Sequence, residues 1–230
     1  MNVKGFQKTS LIDYPGEISS VIFTGGCNLR CRFCHNAELA LDSGTDSIPE
    51  EEILSTLEKR RKIIDAVVIT GGEPTLREEL LPFLKKIRDM HFRIKIDTNG
   101  FNPETIRKCI DESIIDYIAV DIKTSPSKYV DLVGCDINTA LIGETVSLLK
   151  SRSIDYEFRS TCIPGYIDME SLSEIHDWIG DVKKYYLQQF RNDKTLDPSF
   201  SGIKPHSKEM IQKLCDYVST FAETCEIRGI

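Results

Sequence analysis

Six short apolar runs punctuate the chain, at 18–24, 66–70, 93–97, 117–121, 156–160 and 184–188, each rich in Ile, Val, Phe or Tyr. Runs of this kind suit strands buried on both faces of a parallel sheet. The segments between them have a helical period. Ser47 begins one helix, with Pro49 near its start and Glu50 three residues on, a capping-box pattern, and Ile53, Leu54 and Leu57 share a face. Leu80, Leu81, Leu84 and Ile87 form a second stripe. Asn102 caps a third helix ahead of Pro103, Ile106 and Ile110, and Leu141, Thr145, Val146 and Leu149 mark a fourth. Asp168 opens a fifth with Leu172, Ile175 and Ile179. A sixth runs from Ser207 and turns Ile211, Leu214, Cys215, Val218 and Phe221 inward. Six strand-then-helix units predict an α/β fold with helices packed on a parallel sheet. Eight would close a barrel, so six fit a partial (β/α)6 TIM-like barrel. A doubly wound open sheet is the rival, and periodicity does not choose between them. The pattern predicts one domain: an N-terminal extension at 1–17, the partial barrel at 18–222 and a C-terminal tail at 223–230. Short edge strands are expected within 1–17 and at 226–229.

Composition narrows the class. Of 230 residues, 40% are hydrophobic and 28% charged, which is the balance of a globular domain. A formal charge of −7 makes nucleic acid and anionic membranes poor non-specific partners. No stretch is long and apolar enough to span a bilayer, and residues 1–10 lack the apolar core of a signal peptide, so the expected location is the cytoplasm. Eight cysteines in a reducing compartment point to metal or redox chemistry where they cluster, and three fall within eight positions.

Polar residues gather at the C-terminal ends of the predicted strands, where chemistry collects in such folds. The first strand runs into Gly25-Gly26-Cys27, the second into Gly71-Gly72-Glu73-Pro74, the third into Asp97-Thr98-Asn99-Gly100 and the fourth into Asp121-Ile122-Lys123. The fifth carries Arg159 and Ser160, and the sixth Gln188 and Gln189.

The densest chemistry is the loop Cys27-Asn-Leu-Arg-Cys31-Arg-Phe-Cys34. Thiolates are soft ligands for iron–sulfur clusters, zinc or copper(I). A [4Fe–4S] cluster has four iron corners, so three cysteines leave one iron open to another ligand. Structural zinc requires a fourth ligand, and His35 is too close to Cys34 to chelate the same ion easily. Cys31-Arg-Phe-Cys34-His35 also fits the c-type haem pattern, which leaves Cys27 without a role.

The C-x3-C-x2-C spacing, with Phe33 before its last cysteine, resembles the signature of the radical S-adenosylmethionine (SAM) superfamily. Gly71-Gly72-Glu73-Pro74 looks like that superfamily's second motif. Cys34-His35-Asn36, Asp97-Thr98-Asn99-Gly100, Asp121-Ile122-Lys123 and the positions Tyr129, Leu132 and Gly134 are similar to motifs of the activases of glycyl radical enzymes. Ser10-Leu-Ile-Asp-Tyr-Pro-Gly16 and Gln188-Gln-Phe-Arg191 resemble the activating proteins of anaerobic ribonucleoside-triphosphate reductase. No cysteine-rich insert follows Asn36, so no second cluster is expected.

The resemblance implies a partial barrel of the radical SAM type, with a [4Fe–4S] cluster on Cys27, Cys31 and Cys34 and SAM on the open iron. Reductive cleavage of SAM would yield a 5′-deoxyadenosyl radical that takes hydrogen from a glycine of the partner, with a flavodoxin- or ferredoxin-like protein donating the electron. Phe33 and His35 would lie against the adenine. Gly71, Gly72 and Glu73 would meet the SAM amino group. Asp97, Thr98 and Asp121 are similar to residues that hold a monovalent cation. Arg159 would pair with the SAM carboxylate or ribose, and Lys123 would meet the partner or the cofactor. Both also read as ordinary structural or surface charges. A radical SAM enzyme acting on another glycyl radical enzyme or on a small heterocycle is the second reading, and a non-catalytic electron carrier or metal module the third. Cys109 and Cys215 read as core. Cys135, Cys162 and Cys225 carry no metal spacing. His91, His176 and His206 read as surface or capping residues, and Trp178 as packing.

Overall fold

In a computed structural model, residues 1–44 and 46–229 are described. Ile230, the end of the expected tail, lies outside them. The described residues include eight strands, and their order in the sheet follows the chain from β1 to β8, without the reversal a doubly wound sheet requires. The chain divides into two compact units.

The first unit comprises Met1–Asn28, Glu38–Thr98 and Asn102–Ile118. It holds β1 (Val3–Ser10), β2 (Ser19–Thr24), most of the four-residue α1 (Ala37–Ala40), α2 (Glu50–Arg60), β3 (Ala66–Gly71), α3 (Leu80–Asp89), β4 (Arg93–Thr98), α4 (Pro103–Asp111) and the first residues of β5 (Tyr117–Asp121). β1 runs antiparallel to β2, whereas β2, β3 and β4 are parallel, with Val21 opposite Val68 and Ile69 opposite Ile96. Ala66 to Ile69 of β3 are all buried, as both faces of a parallel strand should be. Tyr14, Val21, Ala66, Val68 and Tyr117 pack into one cluster. α2 buries Ile53 and Leu57, and α3 buries Leu80, Phe83, Leu84 and Ile87, each contributing ~1.5–3 kcal/mol on removal from water.

α4 starts as expected, with the Asn102 side chain accepting from Thr105 N and proline in the first turn. α2 does not. Its N-cap is Pro49 with no side-chain cap, and the Ser47 hydroxyl instead hydrogen-bonds Asn2. The cause is a β-bridge between Ile48 and Val3, with Ile48 N donating to Val3 O at 2.7 Å. That bridge commits residue 48 to extended backbone, so Ser47 is too far upstream to cap.

The second unit comprises Leu29–Ala37, Asn99–Phe101 and the chain from Ala119 onward. It contains the end of β5, α5 (Tyr129–Val133), α6 (Ala140–Lys150), β6 (Asp155–Cys162), α7 (Met169–Ile179), β7 (Val182–Gln189), α8 (Lys208–Val218) and β8 (Ala222–Arg228). β6, β7 and β8 are parallel. α7 opens on a full capping box between Asp168 and Ser171. α8 is capped by Ser207 and buries Ile211, Leu214, Cys215 and Val218. β8 begins earlier than the expected edge piece because Val182 pairs with Ala222 from the first residue of each strand. Trp178 packs edge-on against Tyr129, with ring centroids 6.0 Å apart.

Candidate functional site

In the first unit, the loop leaving β2 is fixed by its backbone. Gly26 N donates to Leu39 O at 2.7 Å and Cys27 N to Ala40 O at 3.1 Å. The Arg77 guanidinium donates to Gly25 O. Asp42, beside Arg77 and Lys4, accepts two hydrogen bonds from Asn2 at 2.9 Å, and these contacts hold its carboxyl below its ordinary pKa. The glycines after β3 meet this loop directly. A Cβ on Gly72 would lie 2.1 Å from Gly26 O, and one on Gly71, at φ +113°, would lie 2.5 Å from the Thr24 backbone. Gly72 N donates to Thr24 O and Glu73 N to Gly26 O, both at 2.8 Å. The Gly-Gly pair is therefore required where the two strand-end loops touch.

Glu73 is 1% exposed, and its Oε1 accepts from Thr75 N at 3.0 Å, the Thr75 hydroxyl at 2.6 Å and the Thr98 hydroxyl at 2.8 Å. Asp97 Oδ1 lies 2.8 Å from the ammonium of Lys95, whose side chain is 2% exposed and also donates to Asp13 O at 2.7 Å. The Ser10 side chain accepts from Ile12 N and Asp13 N, which shapes the turn that delivers this carbonyl.

In the second unit, Cys31 and Phe33 are buried, Cys34 and His35 are half-buried, and Cys34 N donates to Cys31 O at 2.9 Å. Arg30 N and Arg32 N donate to Val133 O at 2.9 Å and Leu132 O at 3.0 Å, carbonyls at the end of α5 that have no intrahelical partner. Gly134 ends α5 in the left-handed conformation, φ +65°, and a Cβ there would come within 3.0 Å of Arg30 O. The Tyr129 hydroxyl accepts from Lys123 N at 3.1 Å. Leu132, Val133 and Gly134, at the end of α5, are thus the seat of residues 30–32, while Tyr129 at its start serves Lys123.

Asp121 lies 2.8 Å from both Lys123 Nζ and Arg159 Nε. Burial pushes the Asp121 pKa up, but Arg159 and Lys123 outweigh it and hold the carboxyl well below its ordinary range. Burial likewise opposes the charge on Lys123, but Asp121 and then Cys31 raise its pKa above the usual lysine value. The Lys123 ammonium also sits 5.9 Å from the Phe33 ring centre.

The structure therefore brings Glu73 and Thr98 into contact in one unit, and Phe33, Lys123, Asp121 and Arg159 into a connected set in the other. Asp97 stands apart from Thr98 in partner, since it pairs with Lys95. Sequence reading missed Lys95, although a lysine two positions before an aspartate in an apolar strand is a readable same-face pair. It also missed Arg32, Asp131, Tyr166, Asp197 and Phe200, whose partners are remote in sequence. Cys162, Cys215 and Cys225 come together: the Cys225 thiol hydrogen-bonds Cys215 and Cys162 lies near Cys215. Burial, with Cys215 second, pushes the Cys162 thiol up to about 12, so this group stays protonated and inert.

Cys27 in the first unit, and Cys31 and Cys34 in the second, are thiols outside any disulfide, of the softness and number that suit an iron–sulfur cluster with one open iron. Among the described residues no three His, Cys, Asp or Glu side chains converge as ligands of one ion would, and a cluster does not need them to, because each thiolate takes a different iron. The residues expected to hold a monovalent cation fit less well. The Asp97 and Asp121 carboxylates already face Lys95, and Lys123 with Arg159.

Residues 21–179 match the family model described as Radical SAM superfamily, and the chain belongs to that superfamily. Its members are α/β enzymes that use a [4Fe–4S] cluster and SAM. Glycyl-radical enzyme activating enzymes are among its homologues. A putative glycyl-radical enzyme activating enzyme of Methanocaldococcus jannaschii is 32% identical over 99% of this chain and 96% of its own length. The pyruvate formate-lyase 1-activating enzyme of Escherichia coli K12 is 24% identical over 92% of both chains. A radical SAM methyltransferase from Sphaerobacter thermophilus shares the fold, with a TM-score of 0.71 at 17% identity, over 94% of this chain and 68% of that one. No helix among the described residues is long and apolar enough to cross a membrane.

Proposed function

We propose that this chain activates a glycyl radical enzyme, and that its target is an anaerobic ribonucleoside-triphosphate reductase. The observation behind the activase reading is the Cys31–Cys34 segment of the three-thiol motif, seated by Arg30 and Arg32 on the end of α5, in a chain that aligns over nearly its full length with a putative activating enzyme. The choice of reductase rests on the turn from Ser10 to Gly16 and the Gln188–Arg191 segment.

In this reading Cys27, Cys31 and Cys34 hold the cluster. Held there, the cluster would supply the single electron for reductive cleavage of SAM, the chemistry by which a hydrogen atom would be removed from the partner's glycine. The protein's part is to bind, orient and exclude water. Phe33 and His35 flank the adenine. Gly71 and Gly72 let the turn that meets the SAM amino group close against the segment before Cys27, while the Glu73 side chain holds that turn in shape through Thr75 and Thr98. Lys123 and Arg159 supply positive charge near the cofactor, with Asp121 fixing both. A flavodoxin- or ferredoxin-like protein in the cytoplasm delivers the electron.

The test is anaerobic. Reduced, cluster-loaded protein is mixed with SAM and either the candidate reductase or pyruvate formate-lyase, and a glycyl radical is sought by electron paramagnetic resonance. A radical on the reductase alone supports the full reading. A radical on the lyase alone overturns the choice of target. SAM cleavage with no protein radical points to a small heterocyclic substrate, and no cleavage at all to a non-catalytic module.

A further inference from the structure

Arg32 lies between two of the three clustered cysteines, and no sequence motif singles it out. Its guanidinium reaches two carboxylates far along the chain: Nε donates to Asp197 Oδ2 at 2.8 Å, and Nη1 to Asp131 Oδ1 at 3.4 Å. Its backbone is held on both sides, N–H to Leu132 O at 3.0 Å and C=O from Asp197 N at 2.8 Å. The guanidinium carbon lies 5.0 Å from the centre of the Phe200 ring, which stacks on Tyr166 at 5.7 Å. Tyr166 closes the circuit by donating its hydroxyl proton to Asp131. Asp197 is itself fixed, since its Oδ1 caps the short 3₁₀ turn Pro198–Gly202 through Ser199 N at 2.9 Å.

We propose that Arg32 is the positioning residue of the cysteine loop, locking Cys31 and Cys34 in place between α5 and the 198–202 turn. The proposal rests on the reading that these thiols hold the cluster. Three loop backbone groups and one side chain meet partners in two separate segments, so the loop backbone is fixed before any iron arrives. The Nε–H and Nη–H directions of a planar guanidinium serve the two carboxylates at once, which a lysine ammonium does not reproduce. The pairs are about one-third exposed or more on each side, so their loss leaves global stability nearly unchanged. The effect therefore falls on loop order and cluster retention.

The experiment compares the native protein with Arg32→Met, Arg32→Lys and Asp197→Asn, all reconstituted anaerobically with iron and sulfide. Arg32→Met keeps an apolar stem over Phe200 and removes the fork. Iron release to a chelator is expected to accelerate roughly 10-fold or more in Arg32→Met and Asp197→Asn, the scale on which outer-shell partners act, with Arg32→Lys between them and native. In the cluster-free proteins, hydrogen exchange is expected to quicken at amides 30–34 and not in β2 or β6, with the melting temperature unchanged. Native release and native exchange in Arg32→Met overturn the proposal, as does faster exchange spread over the whole chain. If the native protein takes up no cluster, the proposed function falls too. If it does take one up and the variants then match it in iron release and exchange, this proposal alone falls.

Discussion

The Thr98 hydroxyl donates to Glu73 Oε1 at 2.8 Å, joining the ends of β4 and β3 inside the first unit. The same oxygen takes both the backbone N–H and the hydroxyl of Thr75, so one buried carboxylate oxygen organises the turn after Gly72. Removing it leaves three donors in a site that is 1–2% exposed. Each buried donor left unsatisfied costs ~1–3 kcal/mol, so Glu73→Ala is expected to lose about 3 kcal/mol or more in urea denaturation. Glu73→Gln retains an acceptor oxygen and is expected to stay within about 1 kcal/mol of native. Equal midpoints for Glu73→Ala and native would show that the turn is held by something else.

Two glycines with positive or open backbone separate close approach from conformational freedom. Gly72 is required by space, since its Cβ would press on Gly26 O at 2.1 Å. Gly16 is at φ +78° with nothing within 4 Å, so only its backbone conformation favours glycine. Gly16→Ala is therefore expected to cost ~1–2 kcal/mol, the penalty of the left-handed region for an L-residue. At ~2–4 °C per kcal/mol for a chain of this size, that is a fall of several degrees in Tm. Gly72→Ala cannot relax so locally because the three nearest atoms are all Gly26 backbone. It is expected to exceed that loss and also to lower iron uptake, by displacing the peptide just before Cys27. Thermal melts and iron assays on the pair decide.

The strand-ends were legible because burial on both faces leaves an unmistakable apolar run, and polar residues follow each run. All six predicted strands occur within two residues of the expected bounds at each end. Local caps were legible at Asn102 and Asp168, where the signal lies within three residues. Ser47 misled because its neighbour Ile48 is claimed by Val3, a partner 45 positions away. The same limit explains the site. Cys27, Cys31 and Cys34 announce themselves by spacing, whereas Arg32 gains its meaning from Asp131 and Asp197, which no local pattern marks. Sequence assigned Arg159 either to a cofactor or to an ion pair, and the structure gives it Asp121 as a partner. Thr98 was expected beside a cation, and the structure shows its hydroxyl donating to Glu73.

Two remote cysteines give a prediction in pH. Burial, with Glu112 second, pushes the Cys109 thiol to about 12, and burial, with Cys215 second, does the same for Cys162, from an ordinary value of 9.0. A raised pKa means the folded form keeps its proton longer. The associated stability is fully present below pH ~9 and is lost as pH rises toward ~12, because the unfolded thiol ionises first. Each group adds a slope of ~1.4 kcal/mol per pH unit across that window. Cys162→Ala is therefore expected to flatten the alkaline limb by about that amount in urea melts between pH 9 and 11. In the cluster-free native protein at pH 8, iodoacetamide is expected to leave Cys109 and Cys162 unmodified until denaturant is added. Rapid labelling of either would contradict the burial.

Lys95 and Asp97 form a buried ion pair in the first unit. The ammonium is 2% exposed, and the Asp97 carboxylate, the Asp13 carbonyl and the Tyr117 ring, 5.9 Å from its centre, compensate its charge. Deleting one partner of a buried pair strands the other, at ~3–5 kcal/mol. Lys95→Met and Asp97→Asn are each expected to fall in that range. The double variant is expected to be less damaged than the sum of the two, since no stranded charge remains, with a coupling of ~1–3 kcal/mol. Additivity would mean that the two side chains do not compensate each other. The pair also bears on cations. An ammonium already held at 2.8 Å leaves little call for another positive charge at that carboxylate, so native stability is expected to be the same in potassium and in choline chloride at equal ionic strength. Selective stabilisation of the native protein by potassium would show that a cation displaces Lys95, and that the resting pair is a placeholder for it.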